Sequence, residues 1–358
     1  MPEAPFKDLR VIELAGVLAG PSLGFFFAEL GAQVIKIENP NTDGDVTRHW
    51  KLKNEDPSGK DSAYFWAVNA QKKIMRLDLQ AQSDLARLYE LVRNADLCIT
   101  NFKPGDEVKL KVDYASLSAL NPRLIYASIN GFGEDSARIA YDLILQAESG
   151  FMAMNGSKPG EALKMPVALI DLLAAHQLKE AVLIALLKRY RDGQGSHVSV
   201  SLFRSAIASL ANQATNWLIA GHLPQAAGSL HPNIAPYGEL FETRDHQLVT
   251  FAIGSNRQFG NLCELILYHS LSSDKRFATN QARVQNRQEL YSILYDYIRQ
   301  FDFQVLYTSC LKLDIPIGKI RNLKEVFDLP ESREMLRTTE SGGKTKTYVS
   351  GIAFKFLA

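Results

Sequence analysis

Cysteine is scarce in this chain: three among 358 residues, Cys98, Cys263 and Cys310, odd in number and far apart. That spacing argues against a disulfide frame or a zinc site. It points instead to reduced thiols in a cytosol, so a cytoplasmic location is expected. Cys98, inside the apolar run Asp96–Thr100, reads as plain core packing. An excess of one charge is lacking too: 40 basic residues stand against 39 acidic ones, for a net charge of +1. With no polybasic block, nucleic acid and anionic membrane are not expected partners. Apolar stretches are broken by charge or glycine well short of the ~18 residues that a bilayer span needs. The opening Met1–Asp8 lacks the apolar core of a signal peptide, so no secretory leader is expected.

Motifs are missing as well. There is no P-loop, no His-Glu-x-x-His, no Gly-x-Ser-x-Gly and no CxxC pair, which leaves metal catalysis without support and no metal expected. The glycines of Gly16–Gly20 lack the spacing of a dinucleotide fingerprint. Glu38 lies near the place of a ribose ligand, but without those glycines no nicotinamide cofactor is expected. The chain has no internal repeats and no low-complexity tract.

What is present is a hydrophobic content of 46%, enough for a sizeable core in two domains. Leu9–Leu14 reads as a buried strand, Ala15–Pro21 as a tight glycine-rich turn and Ser22–Leu30 as an amphipathic helix capped by Gly31. Gln33–Ile37 is a second strand, completing a βαβ unit. Because the turn opens a helix, its backbone N–H groups can approach an anionic ligand. A polar loop follows from Asn39 to Lys60. Lys73–Leu79, Asp96–Thr100, Leu124–Ile129 and His197–Ser201 read as further strands. Ser83–Asn94, Tyr114–Leu120, Leu172–Tyr190 and about Leu202–Ala220 read as helices. This alternation predicts an α/β fold with a parallel sheet covered on both faces. Residues 221–236, rich in Gly, Pro, His and Asn, mark a domain boundary. Beyond it come a hairpin (Gly238–Thr243 with Gln247–Ile253), several helices, the connector Ile315–Lys319, a polar stretch with Ser341–Gly343, and a short apolar end, Val349–Leu357. The expected division is a large domain, 1–220 with 331–358, and a small α+β domain, 221–330.

Asp171 ends the extended apolar run Met165–Ile170 and precedes the helix at Leu172. An aspartate there is an N-cap by default. The same geometry also holds a lone carboxylate at a pocket floor, as covalent catalysis by an acid requires. His176, five residues on, lies off the face an i, i+4 partner would share and reads as a packed or solvated helix residue. Lys72 and Lys73 read as a solvated edge before a strand. Asn101–Gly105 follows a strand end, where open α/β sheets bind ligands.

The runs Arg10–Pro21 and Leu30–Glu38 resemble the opening of the family III CoA-transferases, a group that includes formyl-CoA transferases, carnitine CoA-transferases and acyl-CoA racemases. Agreement continues in order through Arg76–Leu79, Asn101–Gly105, Leu120–Tyr126, Asn130–Gly133, Tyr141–Ala147, Arg191–Gly195, Val198–Phe203, Asp274–Asn280 and Ile315–Gly318. It thus covers nearly the whole chain. The resemblance implies a doubly wound, Rossmann-like large domain that binds CoA, a smaller α+β domain, and a homodimer whose subunits interlock like linked rings. It implies CoA transfer from an acyl-CoA donor to a carboxylic acid acceptor, with coenzyme A as substrate and Asp171 as nucleophile. Around CoA it implies Val17, Leu18, Ala19, Leu77, Asn101, Phe102, Lys103 and Lys109, with Tyr141 and Asp142 at the thioester end.

Departures qualify the match. The family's adenine-side arginine is Asn39 here, and a phosphate-side lysine is Gln80; Arg48, Lys72 or Lys73 are the candidates to replace them. Ile253–Gln258 carries one glycine where formyl-CoA transferases have four, which argues against a formyl/oxalate pair. The C-terminus is short. In the racemase branch a histidine and the aspartate after it precede the catalytic aspartate and share the proton shuttle, and Tyr141 stands at that histidine's position. A phenol with a pKa near ~10 is a poor base for an α-proton. The alternatives are a 2-methylacyl-CoA racemase or epimerase, and a CoA-ester-binding protein without turnover.

Overall fold

The structure, a computed structural model, describes residues 4–355. By its internal contacts the chain forms two compact units: Met1–Met154 with Ala162–Pro224 and Arg333–Ala358, and Asn155–Glu161 with Gln225–Ser332. Among the described residues no helix is long and apolar enough to cross a membrane. The expected apolar C-terminal end reaches beyond residue 355, and the opening segment starts before residue 4; those parts lie outside the described residues.

The first unit is built on six strands: β1 (Arg10–Glu13), β2 (Gln33–Glu38), β3 (Lys73–Arg76), β4 (Leu97–Thr100), β5 (Ile125–Asn130) and β6 (Ser196–Ser201). All pair in parallel, in the order β3-β2-β1-β4-β5-β6. This is the doubly wound arrangement that the alternating pattern predicts. The strand order reverses between β1 and β4, so ligands are expected outside the carboxyl ends of those two strands. Helices α1 (Ala19–Glu29), α2 (Ala63–Asn69), α3 (Gln82–Val92), α4 (Asp106–Lys109), α5 (Tyr114–Leu120), α6 (Asp142–Glu148), α7 (Phe151–Met154), α8 (Leu169–Asp192), α9 (Leu202–Ala208) and α10 (Ala211–Ala220) complete it. One apolar cluster joins β1, α1 and α8 through Val11, Leu23, Phe27, Ile170, Ala174 and Leu178. A second, on the other face, holds Ile12, Leu77, Leu88, Cys98 and Tyr126.

Helix α8 buries Ile170, Asp171, Ala174, Ala175, Leu178, Val182 and Ala185, the stripe expected of a helix lying on a sheet and on α1. It begins three residues earlier than the sequence suggests. The expected single helix 202–220 is broken at Ser209–Leu210. There the hydroxyls of Ser205 and Ser209 donate back to the carbonyls of Ser201 and Ser205, and Ala211 takes φ +48°.

Residues Leu336–Ser341 and Lys344–Val349 pair as an antiparallel hairpin. Gly342 and Gly343, both at positive φ, make the turn such a hairpin demands. In the second unit, strands Tyr237–Glu242 and Leu248–Ala252 form the expected hairpin. Ile317–Lys319, read from sequence as a connector, adds a third antiparallel strand. Phe241, Val249, Phe251, Phe259, Leu294 and Leu306 are among its core residues.

Candidate active site

The turn after β1 lies at the point where the strand order reverses, and two side chains hold it there. The Asn101 amide, just past β4, brackets Gly16: its oxygen accepts from the Gly16 N–H at 3.0 Å and its nitrogen donates to the Gly16 carbonyl at 2.9 Å. From the other side the Asp45 carboxylate accepts the Val17 N–H at 3.2 Å. Val17 sits at φ +70°, a region a β-branched residue enters at a cost of order 1–3 kcal/mol. With the Gly16 and Val17 N–H groups engaged, neither is the open anion donor expected of this turn. Leu18 begins α1 with no side-chain cap.

Asp45 is supported by a row of buried ions. Lys36 Nζ lies 2.9 Å from Asp45 and 3.1 Å from Glu13, and Lys72 Nζ lies 2.8 Å from Glu13. Burial pulls the Lys36 ammonium down, but the two carboxylates outweigh it and hold it above its ordinary value. For Lys72 burial wins, and its pKa falls to about 8 despite Glu13. Burial raises Asp45, yet Lys36 and the Thr47 hydrogen bonds hold it below the usual carboxylate range. Lys72 is therefore not the solvated edge residue read from sequence, and it is not free for a phosphate. Arg48 is committed as well, paired with Glu38 and Asp61 and lying over the Phe65 ring. Lys73 is exposed, but it opens β3 at the end of the sheet opposite the carboxyl edge.

Asp171 does not cap α8. It is the third residue of the first turn, after Ala168 at the cap, and the Ile170 N–H is capped by Asp142 of α6 at 2.7 Å. Asp142 is fixed in turn by the Gln146 amide at 2.6 Å, whose oxygen accepts the Met165 N–H at 2.8 Å. A carboxylate in a first helical turn is favoured by the helix dipole. Burial overrides this: Asp171 is 8% exposed, and desolvation, with the Asp142 charge second, pushes its pKa up to about 7. The phenol of Tyr64, on α2, is raised by burial and then by the charges of Asp171, Asp142 and Asp45. The three carboxylates thus share one electrostatic neighbourhood around Tyr64.

Other residues expected at the site stand as follows. Leu18 and Ala19 are buried, with Val17 partly buried beside them. Leu77 is 1% exposed, its side chain in the core and its N–H on the Glu38 carbonyl at 3.0 Å. Phe102 lines a cleft of about 390 Å³ with Tyr114, Tyr126 and His197. Lys103 and Lys109 are exposed, Lys109 paired with Asp106 at 2.9 Å. Tyr141 is exposed immediately before α6. Asp171 does not line the clefts of about 980, 390 and 370 Å³.

Sequence reasoning missed Glu13, Lys36, Asp45 and Tyr64. For Glu13 and Lys36 the available signal was a charge inside the otherwise apolar strands β1 and β2, since a strand ion is buried only when paired; Asp45 and Tyr64 carried no such signal.

The profile of CoA-transferase family III matches residues 6–357. The chain is 37% identical over 354 residues to a succinate–glutarate CoA-transferase of Agrobacterium fabrum, covering 97% of this chain and 88% of that relative. It is 34% identical over 346 residues to an acetyl-CoA:oxalate CoA-transferase of Acetobacter aceti, covering 96% and 87%. A solved CAIB/BAIF family protein from Brucella suis superposes with a TM-score of 0.84 at 36% identity, covering 98% of this chain and 92% of that one. The chain belongs to CoA-transferase family III. It is an enzyme of CoA transfer.

Proposed function

We propose that Asp171 is the covalent nucleophile of this transferase. The observation that carries the reading is a carboxylate held almost dry at the start of α8, with a pKa near neutrality and a second carboxylate, Asp142, beside it. Above pH ~7 it is ionised yet poorly solvated, which makes it more nucleophilic than a carboxylate in water. Its oxygen attacks the acyl-CoA thioester carbonyl, the C–S bond breaks, and CoA thiolate leaves an aspartyl anhydride. The thiolate then attacks the aspartyl carbonyl and releases the donor acid, leaving an aspartyl-CoA thioester. The acceptor carboxylate attacks that thioester, and the thiolate completes the exchange on the acceptor's acyl group. Holding these partners together supplies effective molarity worth roughly 7–11 kcal/mol.

Val17, Leu18 and Ala19, with Leu77, Asn101, Phe102, Lys103 and Lys109, form the CoA-binding side. Tyr141 and Asp142 face the thioester end. The acceptor is a small dicarboxylic acid of the succinate or glutarate kind, and the donor is the CoA ester of such an acid, the substrates named for a relative. The working form is an interlocked cytoplasmic homodimer. The exposed apolar side chains of Ile184, Leu187 and Tyr190 on α8 and of Leu218 and Ile219 on α10 support a large subunit interface.

Incubation with succinyl-CoA followed by hydroxylamine should modify one peptide, the one holding Asp171, and Asp171→Ala should abolish exchange while leaving the fold intact. Modification elsewhere, or exchange by the alanine variant, refutes the mechanism.

A further inference from the structure

Four ions lie behind the first βα turn and take no part in the proposed chemistry. The side chains of Lys72 and Glu13 are 0% exposed, and those of Lys36 and Asp45 are 1% exposed. Their charges alternate, Lys72–Glu13–Lys36–Asp45, so the row is neutral as a whole. Lys72 is further tied to the Pro21 carbonyl and the Asn69 amide oxygen, and Lys36 to the Ala15 carbonyl at 2.6 Å. Both lysines therefore also grip the segment that enters and leaves the turn.

Asp45 is the member of the row that holds Val17, the residue at positive φ. One Asp45 oxygen accepts the Thr47 N–H at 3.0 Å and the Thr47 hydroxyl at 2.8 Å, and the other takes the Val17 N–H and Lys36. Every lone pair that fixes the carboxylate's orientation is used. Val17 could relax from φ +70° by rotating its N–H away. It is the bond to Asp45, opposite the Asn101 bracket on Gly16, that resists this.

We propose that Asp45, seated on the Lys72–Glu13–Lys36 row, is the positioning residue of the acyl-CoA-binding turn. It holds Val17 in the left-handed region and thereby aims the start of α1 at the substrate. The inference rests on the reading that Val17–Ala19 contact CoA. Buried ions suit the task because a charge-assisted hydrogen bond is stronger and more directional than a neutral one.

The test compares Lys36→Met/Asp45→Asn with Lys36→Met/Asp45→Ala. Both keep the neutral Glu13–Lys72 pair, and only the asparagine can still accept the Val17 N–H. Isothermal titration with CoA and steady-state kinetics with succinyl-CoA and glutarate are the readouts, with thermal melts to verify folding. The alanine version should show a CoA Kd and a succinyl-CoA KM roughly tenfold or more above those of the asparagine version, the scale of a displaced binding group. Its kcat at saturation should fall much less. If the double variants do not fold, Asp45→Asn against Asp45→Ala supplies the same comparison. Equal Kd and KM across a pair, with only the melting temperature changed, overturns the role of Asp45. Lack of turnover by the unaltered protein would instead count against the choice of substrates, while the CoA titration still decides on Asp45.

Discussion

Replacing Asp171 with asparagine should stabilise the protein, and only above about pH 4. In the folded chain this carboxyl holds its proton up to about pH 7, against an ordinary value of 3.8. Between those values the folded state binds a proton the unfolded state has lost, so stability falls as pH rises through that window. Below it both states are protonated and nothing is lost; above it the full penalty applies. The gap between 3.8 and about 7 corresponds to roughly 4 kcal/mol, an upper bound because water entering on ionisation relaxes it. Burial is the larger contribution and the Asp142 charge the smaller. Asparagine keeps the shape and cannot ionise. Urea unfolding of both proteins at pH 4.5 and pH 8 gives the stability difference directly, other titrating groups cancelling between them. The asparagine variant should gain between ~2 and ~4 kcal/mol on moving to pH 8 while losing exchange activity. A difference that stays flat with pH, or that moves against the variant, refutes the raised pKa and with it the picture of a dry nucleophile.

With the ionised form as the proposed nucleophile, kcat/KM for acyl-CoA should rise with pH along a limb centred near 7. In Asp142→Asn the limb should move to lower pH without reaching 3.8, since burial remains; an unmoved limb excludes the coupling. Lys72→Met removes one partner of a fully buried pair and should cost roughly 3–5 kcal/mol in urea unfolding. A change near zero would mean the ammonium is solvated. Gly24→Ala would place a methyl 1.8 Å from the Glu13 carboxylate oxygen. That oxygen is held by Lys72 and cannot retreat, so the melt should register a loss of about 3 kcal/mol or more. A variant as stable as the parent would show that the ion row is loosely held.

The first βαβ unit was legible because its signals are local. Apolar strands, a glycine-rich turn and a helix of the right length follow one another with no distant partner to consult, and the boundaries are missed by only a few residues. Alternation along the rest of the large unit implied the parallel sheet for the same reason. The hairpin Leu336–Val349 escaped because its threonines and lysines show no apolar face, although Gly342–Gly343 marked its turn. Asp171 was singled out by its place in an ordered set of motifs, but its conformation was misread. The cap of α8 is Asp142, 28 residues away, and a distant carboxylate cannot be weighed against a near one from spacing alone.

What the sequence determined alone is therefore the parallel α/β pattern of the large unit, the family, and the aspartate proposed as nucleophile. Folding decided which charges are dry. Lys72 looks like any lysine at a strand edge until Glu13, 59 residues earlier, is packed against it. Local propensity acts over a few residues, whereas desolvation and Coulomb attraction depend on neighbours that only the closed sheet brings together.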